Sequence, residues 1–181
     1  AKAEGSRLKL VANLPYNIAT PLITNLLTLD DIVPTSMTVT IQKELAERIV
    51  ARPGTKEFGA LSLWIQAQCH PEIVRLMSPK VFWPRPKVES AIIHIETDFD
   101  KRSRIPDLTY FHRFVRKLFI HRRKLLRGVL VSVFKNELTK QQVDNILEGI
   151  NLTGKVRAEQ LAAPVIFELC ERFRQTQHSE N

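Results

Sequence analysis

Apolar residues come in short runs through the first half of the chain and at helical spacing through the second. Leu8 to Ala12 is an apolar run closed by Asn13-Leu14-Pro15-Tyr16. Pro15 cannot donate to a central ladder, so the run predicts a strand that ends in a loop. Thr20-Pro21 offers a helix start, Thr as cap and Pro in the first turn, and Leu22, Ile23, Leu26 and Leu27 keep one face. Asp30, Asp31 and Pro34 stop it. Met37 to Ile41 alternates apolar residues with Thr and predicts a strand, and Lys43 to Ala51 a short helix ended by Pro53-Gly54. Gly59 to Cys69 predicts another helix. Ile73 to Met77 and Val88 to Ile95 predict strands, the second a largely apolar run through Val88, Ile92, Ile93 and Ile95. Phe82-Trp83-Pro84-Arg85-Pro86 between them is a rigid extended loop.

After Thr97 the stretch from Asp98 to Pro106 is polar, with no apolar period, and the sequence places a domain boundary there, 1–98 against 99–181. Beyond it the pattern is helical, at about 107–119, 121–134, 139–149 and 158–174, with Gly149 and Gly154 as stops. Strands alternating with helices and then helices alone predict an α/β domain followed by a small all-helical one. No internal repeat or low-complexity tract interrupts this.

The 181 residues are 44% hydrophobic and 25% charged, which excludes a disordered or fibrous chain. No apolar run approaches the roughly 20 residues needed to span a bilayer, and the opening AKAEGSRLKL has no hydrophobic segment behind its charges. The expectation is a protein that is neither membrane-spanning nor secreted. Cys69 and Cys170 are the only cysteines, too few and too far apart for a disulfide framework or a zinc site, which points to a reducing cytoplasmic setting. The chain opens on Ala1 rather than Met, as expected of processing or of a piece cut from something longer.

Charge sharpens the picture. Residues 1–98 carry 11 Lys and Arg against 10 Asp and Glu, whereas residues 99–181 carry 16 against 9. From Leu108 to Asn136 there is no carboxylate, yet Arg113, Arg116, Lys117, Arg122, Arg123, Lys124, Arg127 and Lys135 all lie there. Phe111, Phe114, Val115, Leu118, Phe119, Leu125, Leu126 and Val129 recur at helical spacing, so a helix or broken pair buries them and presents most of the cations opposite, Arg122 falling off the stripe. A basic face without interleaved acids attracts a polyanion, and phosphate contact is favoured over a merely solvated face.

Three motifs fail on chemistry. Gly149 to Lys155 follows most of a phosphate-binding loop, but Val156 stands where a hydroxyl would hold magnesium and no strand precedes it. The five His residues are scattered and no His, Cys, Asp or Glu cluster has ligand spacing, so no metal is expected. Ser62, Ser78 and Ser90 lack the GxSxG elbow of a hydrolase.

Asn13-Leu14-Pro15-Tyr16 differs, because it closes a strand at the end where open α/β sheets place ligands. An amide, a rigid proline and an aromatic ring there can hold a planar heterocycle, with the amide oxygen and a main-chain carbonyl accepting from an exocyclic amine. Spacing alone leaves open a plain loop with a surface tyrosine.

The run Asn13-Leu14-Pro15-Tyr16-Asn17-Ile18-Ala19-Thr20-Pro21-Leu22 closely resembles the fourth motif of the ribosomal RNA adenine dimethyltransferases, the KsgA family. Three further blocks agree in order. Gln42-Lys43-Glu44 with Arg48 resembles the segment after that family's fifth strand, and Phe82-x-Pro84-x-Pro86-Lys87-Val88-x-Ser90 its eighth motif. Arg122-Arg123-Lys124, running on to Arg127, is similar to the basic signature of its C-terminal domain. Trp83, Arg85 and Glu89 are departures within the eighth motif. The resemblance implies the C-terminal half of a Rossmann-like class I methyltransferase sheet, then a helical RNA-binding domain. It also implies that the donor half is missing, since only seven residues precede the first strand and no GxG occurs. The chain is then expected to be a fragment without activity of its own, its exposed first-strand edge free to pair with another copy or a loop.

The activity the resemblance implies is dimethylation of two adjacent adenosines near the 3′ end of small-subunit (16S) ribosomal RNA, in immature 30S particles, with S-adenosylmethionine as donor. Asn13, Leu14, Pro15 and Tyr16 take the catalytic positions, Asn13 also touching the donor, and Phe82 and Lys87 are substrate-binding. Arg113, Arg116, Lys117, Arg122, Arg123, Lys124 and Arg127 are the expected RNA contacts. The alternatives are a large-subunit adenine methyltransferase of the antibiotic-resistance type and a non-catalytic nucleic-acid-binding or transcription factor of the same family. Leu14 and the Arg122-Arg123-Lys124 block favour the small-subunit branch.

Overall fold

The computed structural model describes residues 8–29 and 32–178. The chain forms two compact units, one of residues 1–51 and 64–104, the other of residues 52–63 and 105–181.

The first unit is built on a four-stranded sheet. β1 (Lys9–Asn13) runs parallel to β2 (Ser36–Gln42), while β2 and β3 (Cys69–Met77) each pair antiparallel with β4 (Ser90–Thr97), giving the order β1-β2-β4-β3. Met37, Val39 and Ile41 on β2 and Ala91, Ile93 and Ile95 on β4 are fully buried, as strand alternation dictates. β1 stands at one edge and exposes Val11. β3 starts four residues earlier than Ile73. It is the other edge strand, where the missing N–H of Pro71 is tolerated, and Cys69 is buried in register with Thr97.

The helices of this unit depart from the sequence reading in three places. α1 (Tyr16–Leu26) starts at Tyr16 rather than at Thr20-Pro21, with Pro15 in extended geometry as its N-cap, so Pro21 lies inside the helix. Pro15 already fixes the turn out of β1, and Pro21, the sixth residue of the helix, cannot supply the N–H that would bond the Asn17 carbonyl. α1 ends at Leu26; the stop expected at Asp30-Asp31 lies outside the described residues. α2 (Lys43–Val50) packs on β2, β3 and β4. α3 (Ala60–Gln66), of which Trp64–Gln66 belong to this unit, ends three residues before Cys69, because that cysteine opens β3. The polar stretch after Thr97 holds α4 (Phe99–Ser103), capped by Asp98, whose carboxylate accepts from Lys101 N–H at 2.8 Å. Its buried residue is Arg102, which donates to the Leu27 carbonyl at 2.7 Å and to Leu29 O and Gln68 Oε1. An apolar-period search passes over a helix anchored by a guanidinium. The first unit therefore runs to Arg104 rather than ending at Asp98.

The second unit is helical: α5 (Leu108–Leu118), α6 (Leu126–Val133), α7 (Lys140–Gly149) and α8 (Ala163–His178). Phe114, Phe134 and Phe173 form its centre, with ring centroids 4.9 to 5.5 Å apart. Asp107 caps α5, and Thr139 with Gln142 forms a capping box on α7. Residues 121–125 are a turn rather than the start of a helix. The expected helix at 158–174 is split into one 3₁₀ turn, Ala158–Gln160, and α8, since Pro164 has no N–H to continue a helix from that turn. Residues 52–63 join this unit through hydrogen bonds. Gly54 N–H donates to the Glu159 carbonyl at 2.7 Å, and Phe58 meets Phe119 edge-on at 6.2 Å. Among the described residues no helix is long and apolar enough to cross a membrane.

Candidate active site

Asn13 is the last residue of β1, in register with Thr40, and Leu14 N–H donates to the Thr40 carbonyl at 3.2 Å. That bond holds the chain to the sheet for one residue past the strand. Leu14 then buries its side chain, Pro15 turns the backbone, and Tyr16 opens α1. The result presents the Asn13 amide outward, with no hydrogen-bond partner among the described residues, beside a half-buried Tyr16.

Across from this turn lies the loop before β4. Phe82, Trp83, Pro84 and Pro86 face Asn13, Leu14, Pro15 and Tyr16 over a cleft of about 320 Å³. Phe82 is half-buried, and the Trp83-Pro84 peptide is cis. Two contacts fix the walls. The Tyr16 hydroxyl lies 2.7 Å from Ser90 Oγ, and Ser90 is fully buried. Lys43, first residue of α2, binds Glu89 at 2.7 Å through its ammonium and donates its N–H to the Glu89 carbonyl at 3.0 Å. The Glu89 carboxylate holds the Lys43 ammonium above its ordinary pKa. The block at Gln42-Lys43-Glu44 thus pins the start of β4 beside the end of β2, which delivers Ser90 to Tyr16. Within that block Arg48 pairs with Glu44 on α2.

The structure brings Asn13, Leu14, Pro15, Tyr16 and Phe82 to one cleft, as the sequence reading groups them. Lys87 stands exposed just beyond the loop, outside the residues that line the cleft. Ser90 is the residue the sequence reading misses. Ser90 enters there as a rejected nucleophile and as the last position of the eighth-motif block, and a buried serine opening an apolar strand carries no local mark of a partner 74 residues away.

In the second unit the basic residues divide into two sets. Arg113, Arg116, Arg123 and Lys124 are exposed and have no carboxylate partner among the described residues; Arg113 lies over the Tyr110 ring at 5.2 Å. Lys117, Arg122 and Arg127 are instead paired within the unit. Lys117 is half-buried, paired with Glu137 and 4.4 Å from the Phe134 ring centroid. Arg122 donates to the carbonyls of Lys56 at 2.7 Å and Phe58 at 2.9 Å and to Glu159 at 3.1 Å. Arg127 forms a two-bond pair with Asp144, at 2.6 and 2.7 Å, which holds that carboxyl below its ordinary pKa. Their cations are already compensated by acids distant in sequence, which a stretch read on its own as acid-free does not reveal.

The sheet, parallel between β1 and β2 and antiparallel beyond, has the class I methyltransferase fold of two solved structures that superpose on it. The dimethyladenosine transferase of Plasmodium falciparum superposes with a TM-score of 0.83 at 21% identity, over 93% of this chain and 67% of that one. The 23S rRNA methyltransferase ErmE superposes with a TM-score of 0.61 at 18% identity, over 97% and 68%. Residues 1–168 match the family model for ribosomal RNA adenine dimethylase, and the chain belongs to that family. Ribosomal RNA small subunit methyltransferase A of Clostridium botulinum (strain Kyoto / Type A2) is 41% identical over 155 residues, 86% of this chain and 55% of that protein. The protein of the same name from Ligilactobacillus salivarius is 39% identical over 168 residues, 92% and 56%. The chain spans a little over half the length of these relatives.

Proposed function

We propose that these residues form the acceptor side of an S-adenosylmethionine-dependent enzyme of ribosome biogenesis. It dimethylates the 6-amino groups of two adjacent adenosines near the 3′ end of small-subunit ribosomal RNA, in immature 30S particles. The observation that carries this reading is the single cleft that collects Asn13, Leu14, Pro15, Tyr16 and Phe82, with the Tyr16 ring tethered by Ser90.

The chemistry sets the demand. Adenine's 6-amino nitrogen is a poor nucleophile because its lone pair is delocalised into the ring. The Asn13 side-chain oxygen and the Leu14 carbonyl accept the two amine hydrogens and orient the nitrogen. Asn13 fits that role, since its amide is exposed and makes no competing bond among the described residues. Pro15 keeps the turn rigid, while Tyr16 and Phe82 cover the two faces of a base drawn out of its stack. Each stacked face contributes about 1–3 kcal/mol. When bound, S-adenosylmethionine would supply the methyl group, its carbon–sulfur bond breaking to leave a neutral thioether, and Asn13 at the end of β1 is the cleft residue that would contact it. The nitrogen gains the methyl and gives up a proton to water. Among the described residues that line the cleft there is no carboxylate, and the reaction needs no strong base. In the second unit Arg113, Arg116, Arg123 and Lys124 contact RNA phosphates, whereas Lys117, Arg122 and Arg127 hold the unit together.

Photo-crosslinking of the chain to a 3′-terminal fragment of small-subunit ribosomal RNA tests the reading. Crosslinks from Tyr16 and Phe82 to the two adjacent adenosines are expected. Equal crosslinking to a large-subunit RNA, or crosslinks that avoid those adenosines, contradicts it.

A further inference from the structure

Trp83 is 96% exposed, an unusual position for the largest side chain in the repertoire, and yet it lines the same cleft as Tyr16 and Phe82. It has no ring or hydrogen-bond partner among the described residues. Its backbone is stiff, since Pro84 follows directly and Pro86 two residues on. An indole presented on a rigid loop loses little freedom when something stacks on it.

The surroundings indicate what stacks. From Ser78 to Val88 the chain carries Lys80, Arg85 and Lys87, all exposed, and no carboxylate. The next acid, Glu89, is neutralised by Lys43 at 2.7 Å. An exposed aromatic ring interleaved with unopposed cations is the pattern that binds single-stranded nucleic acid, the ring taking a base and the cations its phosphates.

We propose that Trp83 is a second stacking platform. It takes the unpaired nucleobase next to the adenine held in the Asn13–Tyr16 cleft, with Arg85 and Lys87 on the phosphate that links the two nucleotides. The inference rests on the adenine-binding reading of that cleft and deepens it, because it makes the ligand an unstacked dinucleotide rather than a single base. It also gives the loop a part in selecting two consecutive nucleotides: a neighbour still paired or stacked in a duplex cannot reach the indole.

The test uses the 181-residue chain with adenosine 5′-monophosphate, the dinucleotide ApA, and an adenosine nucleotide linked to an abasic ribose. Affinities are followed by NMR shifts of Tyr16 and by indole fluorescence, for which buried Trp64 is a silent reference. Trp83→Ala is expected to weaken ApA about tenfold, to leave the monophosphate and the abasic ligand within about twofold, and Trp83→Phe to restore most of the loss. Because the side chain is 96% exposed, the fold is not at risk. If ApA shifts Tyr16 in the wild type but Trp83→Ala leaves its affinity unchanged, the platform is refuted and the adenine cleft stands. If no adenine ligand shifts Tyr16, the cleft reading itself fails, and the platform with it.

Discussion

The Tyr16 hydroxyl meets Ser90 Oγ at 2.7 Å, and this bond joins the two walls of the cleft. Tyr16 begins α1 directly after β1, and Ser90 begins β4, so the bond ties the Asn13–Tyr16 turn to the strand that follows the Phe82 loop. For the base stacking proposed for Tyr16 the ring needs one orientation, and its fully buried partner Ser90 fixes it. Ser90→Ala leaves the phenol without this partner. It is expected to cost about 1 kcal/mol of stability and to weaken adenosine monophosphate several-fold, as read by urea unfolding and by NMR titration. Ser90→Thr retains the hydroxyl and is expected to recover most of the affinity. A loss of stability with unchanged affinity would make the bond purely structural.

The two sets of basic residues are separable by salt. If exposed Arg123 and Lys124 contact phosphates as proposed, neutralising both to Gln should lower the slope of log affinity for single-stranded RNA against log salt by about 0.7 for each, with unfolding unaltered. Arg122→Gln should do the reverse. It loses the bonds to Lys56, Phe58 and Glu159, which lowers stability by about 1–2 kcal/mol while the slope stays near its wild-type value.

Gly154 allows a close approach rather than holding a phosphate. A Cβ there would stand 2.6 Å from Arg127 Cβ, near the backbone and unable to swing aside. Gly154→Ala is expected to displace Arg127 from Asp144 and to destabilise the protein by about 1–3 kcal/mol. Thermal unfolding reads this directly.

Burial pushes the Cys69 thiol from 9.0 up to about 12, and Cys170 is raised in the same way. The folded protein holds these protons at a pH where the unfolded chain has released them. The contribution to stability is complete below about pH 9 and is lost as the pH rises from 9 towards 12, with a slope near 1.4 kcal/mol per pH unit for each thiol. Cys69→Ala should flatten the alkaline limb of a stability profile measured by urea unfolding.

Much of this was legible in the sequence because strands and amphipathic helices carry their burial in their period. Met37, Val39 and Ile41 announce β2, and Phe111, Phe114 and Leu118 announce α5. What escaped was set by long-range polar contacts. Arg102 buries a charge to anchor α4, and Arg122 answers Glu159 across 37 residues of chain, so neither has a periodic trace. Pro21 misplaced the start of α1 because proline in a first turn and proline one turn further look alike when the cap is another proline. At the cleft, Asn13 and Tyr16 were readable from their chemistry at a strand end. The Phe82 loop needed the family resemblance to bring it near, and Ser90 needed the fold.

The central claim is that Asn13 and the Leu14 carbonyl receive an adenine 6-amino group. Its most direct test is titration of the chain with adenosine 5′-monophosphate and with purine riboside 5′-monophosphate, which lacks that amine, in the wild type and in Asn13→Ala. The wild type is expected to prefer adenosine by about three- to tenfold, with shifts at Asn13, Tyr16 and Phe82, and the preference to disappear in Asn13→Ala while purine riboside binding is unchanged. Equal affinity of the wild type for the two ligands would contradict the claim.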